Sequence, residues 1–143
     1  MMRARQCAVT FPLSDAGAWR ILIVDDDQAV TDTFSRMLRL DGYEVWAALS
    51  AKEGLNLAQK HLPHAVILDL RMPLATAIEW LRLIRRIPGL DITPAAIVSG
   101  DYHMGGQHSA DVMALGAELR FKPLWLDELV TLARDLLKVP VRD

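Results

Sequence analysis

Five apolar runs of strand length are spread along the chain, with helical periodicity between them. The run over residues 20–24 is continuously apolar after Arg20, the run over 65–68 is apolar throughout, and both are rich in β-branched side chains. A strand of this kind is typically buried on both faces, as in the middle of a parallel sheet. The other runs cover residues 43–47, 94–98 and 117–121. The pattern predicts a five-stranded sheet with covered central strands.

Segments with the helical period separate these runs and cover residues 30–38, 51–58, 75–87, 109–115 and 126–137. Ser50 followed by Glu53 forms a capping box at the start of the second segment, and Pro63 follows its end. Strict alternation of strand and helix implies right-handed crossovers. We therefore predict an α/β fold class, with a parallel sheet between two layers of helices.

Composition is that of one ordinary folded domain. The chain has 143 residues, of which 52% are hydrophobic and 24% charged, with a net charge of −2 and one cysteine. This charge gives no support to direct nucleic-acid binding, no apolar segment is long enough to span a membrane, and a single cysteine suits a cytoplasmic location. We predict an N-terminal tail over residues 1–19 that is poorly ordered, a domain over 20–138 and a C-terminal tail over 139–143.

Polar side chains follow four of the five apolar runs. Asp25 and Asp26 follow the first, Asp69 the third, Ser99 the fourth and Lys122 the fifth. In a doubly wound sheet of order 2-1-3-4-5, these strand ends share one edge, and the first and third flank the switch point where ligands bind. Asp69 also suits a cap of the following helix. Its position among the other strand ends favours a shared site.

The chemistry of this set points to a cation and a phosphoryl group. Carboxylates gathered in one pocket repel each other unless a cation joins them. Oxygen ligands without His or Cys suit Mg²⁺. A hydroxyl and an ammonium beside a carboxylate and a metal are the groups needed to hold a transferring phosphoryl group. Asp27, the third acid in the row, is better interpreted as the N-cap of the first helix.

Over residues 20–137 the sequence resembles the receiver domain of two-component response regulators. The resemblance lies in four motifs that stand at the correct strand ends and in the correct order: ILIVDDD, VILDLRMP, IVSG and FKP. It implies a flavodoxin-like fold.

The resemblance also implies a role for each site residue. Asp69 would accept a phosphoryl group from a histidine kinase or phosphotransfer protein. Asp26, Asp69 and the backbone carbonyl of Arg71 would hold Mg²⁺, with Asp25 acting nearby, often through water. Ser99 would bind a phosphoryl oxygen, and Lys122 would pair with the phosphate.

Three positions depart from the family. Residues 74–77 are Leu-Ala-Thr-Ala, all compatible with a helix, where the family usually has a glycine-rich turn. Leu119 takes the place of the usual aromatic residue that moves with the Ser or Thr. Trp125 stands where the last helix normally has a polar N-cap, so we expect water to satisfy the amide donors there.

We predict a stand-alone response regulator, because a chain of this length has no room for an output domain. It is a phospho-acceptor signalling domain rather than an enzyme, and assists only its own phosphorylation and dephosphorylation. Its output would be altered binding to another protein, through the fourth helix, fifth strand and fifth helix with Trp125 exposed there, and homodimerisation is an open possibility.

Two alternatives stay open at this point. Asp25 to Ala29 is similar to the signature of haloacid-dehalogenase-like phosphatases, in which Asp25 would be the nucleophile and Asp27 the general acid. That reading leaves Asp69 without a role, and Ala29 misses the signature. The other alternative is an interaction module with the receiver fold that works without phosphorylation.

Overall fold

Strands and helices alternate along the chain in the computed structural model. The structure describes residues 18–69, 74–99, 106–121 and 124–141, without the side chains of residues 74, 75, 99, 106–109 and 138–141. The elements are β1 (Arg20–Asp25), α1 (Gln28–Leu40), β2 (Glu44–Ala48), α2 (Ala51–His61), β3 (Ala65–Asp69), α3 (Leu74–Arg85), β4 (Ala95–Ser99), α4 (Gly106–Ala114), β5 (Ala117–Phe121) and α5 (Leu126–Val141). The predicted tail is outside the described residues as far as residue 17.

The sheet has the order β2-β1-β3-β4-β5, and every neighbouring pair is parallel. This confirms the predicted doubly wound topology. The chain order reverses between β1 and β3, so the switch point lies where these two strands end.

Two apolar clusters cover the two faces of the sheet. On one face, α1 and α5 pack on side chains such as Ile21, Ile23 and Ile67. On the other, α2, α3 and α4 pack on Leu22, Val24 and their neighbours. Successive strand residues alternate between the clusters, because successive side chains of a strand point to opposite faces. The central strands are therefore buried on both sides, as their apolar sequences predict.

Two element boundaries differ from the sequence prediction for identifiable reasons. The third helix was predicted to reach residue 87 but ends at Arg85, because the amides of Arg86 and Ile87 bond to Leu83 and Ile84, three residues back, and tighten the last turn before Pro88. β2 starts one residue later than predicted, at Glu44, whose amide bonds to the carbonyl of Trp19 at 2.9 Å.

The two ends of the predicted domain also differ in detail. Trp19, assigned to the tail, is half-buried and packs against the cluster under α1 and α5. At the other end, α5 continues to Val141, so the predicted boundary at residue 138 falls inside a helix. The fourth helix begins at Gly106, three residues earlier than its apolar pattern indicated.

Candidate functional site

Two buried aspartates lie side by side at the carboxyl ends of β1 and β3. Asp25 and Asp69 are Cα partners in the parallel register of these strands. Their exposed fractions are 2% and 4%. Since neighbouring strands are about 4.8 Å apart and register partners point to the same face, the two carboxylates share one pocket. The structure thus brings together the central pair of the predicted site.

The turn after β1 fixes the orientation of Asp25. The amide of Asp27 donates to Oδ1 of Asp25 at 2.9 Å. Oδ1 of Asp27 in turn accepts from the amides of Ala29 at 2.9 Å and Val30 at 3.2 Å, so Asp27 is the N-cap of α1, as predicted. Asp26, between them, is exposed to solvent. This arrangement holds one carboxylate inside the pocket and leaves the next at its mouth.

A tight packing contact supports β1 behind the aspartates. Gly54 of α2 sits so close to β1 that an added Cβ would be 2.9 Å from Cγ2 of Val24 and 3.2 Å from Cζ2 of Trp80. The indole N–H of Trp80 donates to the carbonyl of Ala51 at 2.8 Å. The missing side chain of Gly54 makes room for the ring, which joins α3 to the first turn of α2.

The ends of β4 and β5 reach the same edge of the sheet. Ile97 pairs with Leu68, so Ser99 ends β4 one position past the level of Asp69. The backbone of Ser99 pairs with Phe121, the residue before Lys122. The side chain of Ser99 and the whole of Arg71 and Lys122 lie outside the described residues, so their predicted roles stay predictions.

Two departures from the receiver pattern are visible in the structure. α3 begins at Leu74, the residue after the VILDLRMP motif, so residues 74–77 are helical, as their sequence suggested. Leu119 is half-buried and packs against the cluster under α2, α3 and α4. A compact aliphatic side chain therefore fills the place for which the resemblance implies an aromatic ring.

The start of α5 corrects one expectation. Trp125 has an exposed fraction of 64%, which agrees with its predicted exposure. Water was expected to satisfy the amide donors there, but the amide of Trp125 donates to Oε1 of Glu128 at 2.9 Å, and the amide of Glu128 donates to Oδ1 of Asp127 at 3.0 Å. Glu128 is the third residue of the helix, the position from which a glutamate reaches back to the N-cap amide. Trp125 and Glu128 have the three-residue spacing of a capping box, but the sequence analysis did not identify one because position 125 has no Ser or Thr.

The donor chemistry of the pocket fits Mg²⁺. Among the described residues, no group of three or more His, Cys, Asp or Glu side chains is arranged to hold a metal ion. Mg²⁺ does not require such a group, because it keeps several waters and usually takes one or two carboxylates. Asp25 and Asp69 supply two adjacent carboxylates, and Asp26 stands at the mouth of the pocket.

Comparisons with curated sequences agree on the family. The response regulator receiver domain matches residues 21–134. "Response regulator MprA" of Mycolicibacterium vanbaalenii is 35% identical over 123 residues, which cover 83% of this chain and 50% of that protein. "Transcriptional regulatory protein PrrA" of Mycobacterium tuberculosis is 32% identical over 119 residues, with the same coverage. The chain spans about half the length of these relatives.

Solved structures show the same architecture. The chemotaxis protein CheY4 of Vibrio cholerae is 26% identical, with a TM-score of 0.74 over 85% of this chain and 100% of that one. A CheY-like receiver domain protein of Methanospirillum hungatei is 27% identical, with a TM-score of 0.74 over 85% and 95%. The fold is therefore the CheY-like flavodoxin fold.

Two further points follow for the class of protein. No helix in the described part of the chain is long and apolar enough to cross a membrane. The family match spans residues 21–134, which include the acidic ends of β1 and β3. By sequence family, strand order and fold, the chain belongs to the receiver domain family of two-component response regulators.

Proposed function

We propose that the protein is a phospho-acceptor that takes a phosphoryl group on Asp69 from a histidine kinase or phosphotransfer protein in the cytoplasm. The observation that carries the proposal is the register pairing of Asp25 with Asp69, which puts two buried carboxylates at the switch point of the sheet. In open α/β sheets, ligands bind at the carboxyl ends of the central strands, and the backbone of Asp69 is held there by its pairing with β1.

In the proposed reaction, a carboxylate oxygen of Asp69 attacks the phosphorus atom of a phosphohistidine in line with the bond to the leaving nitrogen. An O–P bond forms, the N–P bond breaks, and the electron pair of that bond stays on the imidazole. Since β3 pairs with strands on both sides, the attacking group needs little reorganisation.

Asp26, Asp69 and the carbonyl of Arg71 would hold Mg²⁺, with Asp25 contacting it through water. The ion would neutralise charge on the phosphoryl oxygens. Asp25 is already oriented by the amide of Asp27, so its carboxylate does not have to be ordered when the ion arrives.

Ser99 and Lys122 complete the proposal from the ends of β4 and β5. The Ser99 hydroxyl would donate to a phosphoryl oxygen, and the Lys122 ammonium would pair with another. The register of Ser99 with Phe121 supports this assignment, since the end of β5, one residue before Lys122 in the sequence, lies at the same sheet edge as Asp69.

The output we propose is altered binding to another protein through α4, β5 and α5. In the described part of this region, four large apolar side chains are exposed: Met113 on α4, Phe121 on β5, Leu126 at the start of α5 and Trp125 just before it. Exposed aromatic side chains are frequent among the residues that dominate binding energy. Because Leu119 has no ring to rotate, we expect the phosphate to be sensed here through movement of backbone segments.

One assay separates this function from its alternatives. With acetyl phosphate and Mg²⁺, the protein should gain one phosphoryl group per chain, and with a generic phosphate monoester it should release no phosphate over many turnovers. Continued turnover of the monoester would identify a phosphatase and contradict the proposal. A folded protein that gains no phosphoryl group would instead be an interaction module that works without phosphorylation.

A further inference from the structure

A second cluster of polar contacts lies at the end of β1 opposite to Asp25. The backbone amide of Arg20 donates to Nδ1 of His64 at 2.9 Å, and the amide of His64 donates back to the carbonyl of Arg20 at 2.8 Å. The imidazole also meets the indole of Trp19 edge to face, with 4.7 Å between the ring centroids. His64 thus contacts both Arg20, the first residue of β1, and Trp19, the residue before it.

The side chain of Arg20 extends the same cluster to the end of α2. Its Nε donates to the carbonyl of His61 and its Nη2 to the carbonyl of Leu62, both at 2.9 Å. A cation at a helix C-terminus is favourable because the last carbonyls have no partner within the helix. Leu62 itself is left-handed, with φ 47°, a conformation that costs energy for a residue other than glycine.

The bond from Arg20 fixes the protonation state of His64. A ring nitrogen that accepts an N–H carries no proton, so the neutral imidazole must have its hydrogen on Nε2. An imidazolium has a hydrogen on both nitrogens and cannot accept this bond. After protonation, the Nδ1–H of His64 and the backbone N–H of Arg20 would face each other as two donors with no acceptor between them.

The charges around His64 act in opposite directions. Burial of the ring, followed by the positive charge of Arg20 on β1, lowers the pKa of His64 below its ordinary value, while Glu44 on β2 opposes this shift. The end of α2 approaches this cluster only through backbone carbonyls that bind Arg20, and Trp19 contributes an uncharged ring, so neither adds a further charge beside His64. The neutral form is therefore favoured near neutral pH, and acid is needed to change it.

We propose that His64 is a pH-sensitive latch, in which the neutral imidazole ties Trp19 and Arg20 to β3 and α2, and protonation at Nδ1 releases them. The latch joins the start of β1 to the end of α2 and to the residue before β3. Asp25 is at the other end of the same strand, so the latch works independently of phosphorylation at Asp69 and can be tested without it.

The test is amide exchange of Arg20 measured by NMR in the full chain. As the pH falls from about 7.5 to about 5, through the lowered pKa of His64, we expect the protection factor of this amide, corrected for intrinsic exchange, to fall about tenfold, as befits the loss of one partly buried hydrogen bond. In His64→Asn, the amide oxygen replaces Nδ1 as acceptor and cannot be protonated, so protection should stay constant.

His61→Asn is the matched control. It removes the imidazole of His61 but keeps the backbone carbonyl, which is the only group of His61 that takes part in the latch. It should keep the wild-type pH dependence. The ¹⁵N shifts of His64 should also show the hydrogen on Nε2 at neutral pH. A hydrogen on Nδ1, a His64 that stays neutral until the protein unfolds, or an Arg20 amide indifferent to the titration would each overturn the proposal.

Discussion

At the scale of single residues, three consecutive aspartates have three different roles because each has a different position between β1 and α1. Asp25 ends β1 and is buried, Asp26 is exposed at the mouth of the pocket, and Asp27 caps α1. The sequence predicted the N-cap role of Asp27 and grouped Asp25 with Asp26 at the strand end, but it did not distinguish which of these two is buried. The hydrogen bond from Asp27 to Asp25 could not be predicted, since it depends on the exact path of the turn.

Tyr43 provides a prediction at the same scale. Its side chain is buried between α1 and α5, and burial, with a smaller contribution from the charge of Asp41, raises the pKa of Tyr43 to about 12. Because the folded state keeps the phenol neutral, this contribution to stability is complete below pH 10 and is lost as the pH rises towards 12.

We therefore expect the free energy of unfolding of the wild type to fall by about 2–3 kcal/mol more than that of Tyr43→Phe across this range. Urea denaturation of both proteins at stepwise pH measures the difference. Parallel pH profiles of the two proteins would show that the environment of Tyr43 does not resist ionisation.

At the scale of elements, apolar periodicity located every strand and helix, but contacts between distant residues set several boundaries. Tyr43 continues the apolar run of the second strand, yet pairing begins at Glu44, where the carbonyl of Trp19 is within reach. Gly54 of α2 lies close to Val24 of β1 and Trp80 of α3, and the sequence of none of these three elements alone predicts this contact. Local sequence predicts where an element is, whereas its ends and contacts depend on the assembled fold.

The start of α5 gives a prediction about one element. Glu128→Ala removes the acceptor of the Trp125 amide and should lower the free energy of unfolding by about 1 kcal/mol, the usual cost of losing a helix cap. Glu128→Gln keeps an oxygen in the same place and should retain most of that stability. Thermal or urea denaturation measures both. Equal losses in the two variants would point to the charge of Glu128 rather than its hydrogen bond.

At the scale of the whole molecule, strand order brings residues far apart in the chain to one pocket. The alternation of strands and helices predicted a parallel sheet, and a doubly wound order of its strands predicted the meeting of Asp25 and Asp69 at their strand ends. Arg71 and Lys122 are outside the described residues, so that part of the site still rests on the resemblance to receiver domains. The latch at His64 occupies the opposite end of the sheet from this pocket.

Magnesium should stabilise the entire domain through this pocket. At about a hundred times its dissociation constant, a ligand that binds only the folded state adds roughly 2.7 kcal/mol, so the melting temperature should rise with Mg²⁺. The rise should be smaller in Asp26→Asn. It should persist in Asp27→Asn, which loses the same charge but keeps a side chain able to cap α1.

Calorimetry with and without Mg²⁺ decides between these outcomes. Without the metal, Asp26→Asn should also be more stable than the wild type, because one of the repelling charges is gone. An equal rise with Mg²⁺ in the wild type and in Asp26→Asn would remove Asp26 from the site.

The most direct test of the central claim is the intact mass of the protein after incubation with acetyl phosphate and Mg²⁺. The wild type should gain one phosphoryl group, and so should Asp91→Asn, a matched change at an exposed aspartate in the turn before β4. Asp69→Asn, with a side chain of the same shape and with its fold checked by circular dichroism, should gain none. A phosphoryl group that still appears on folded Asp69→Asn would contradict the assignment of Asp69 as the acceptor.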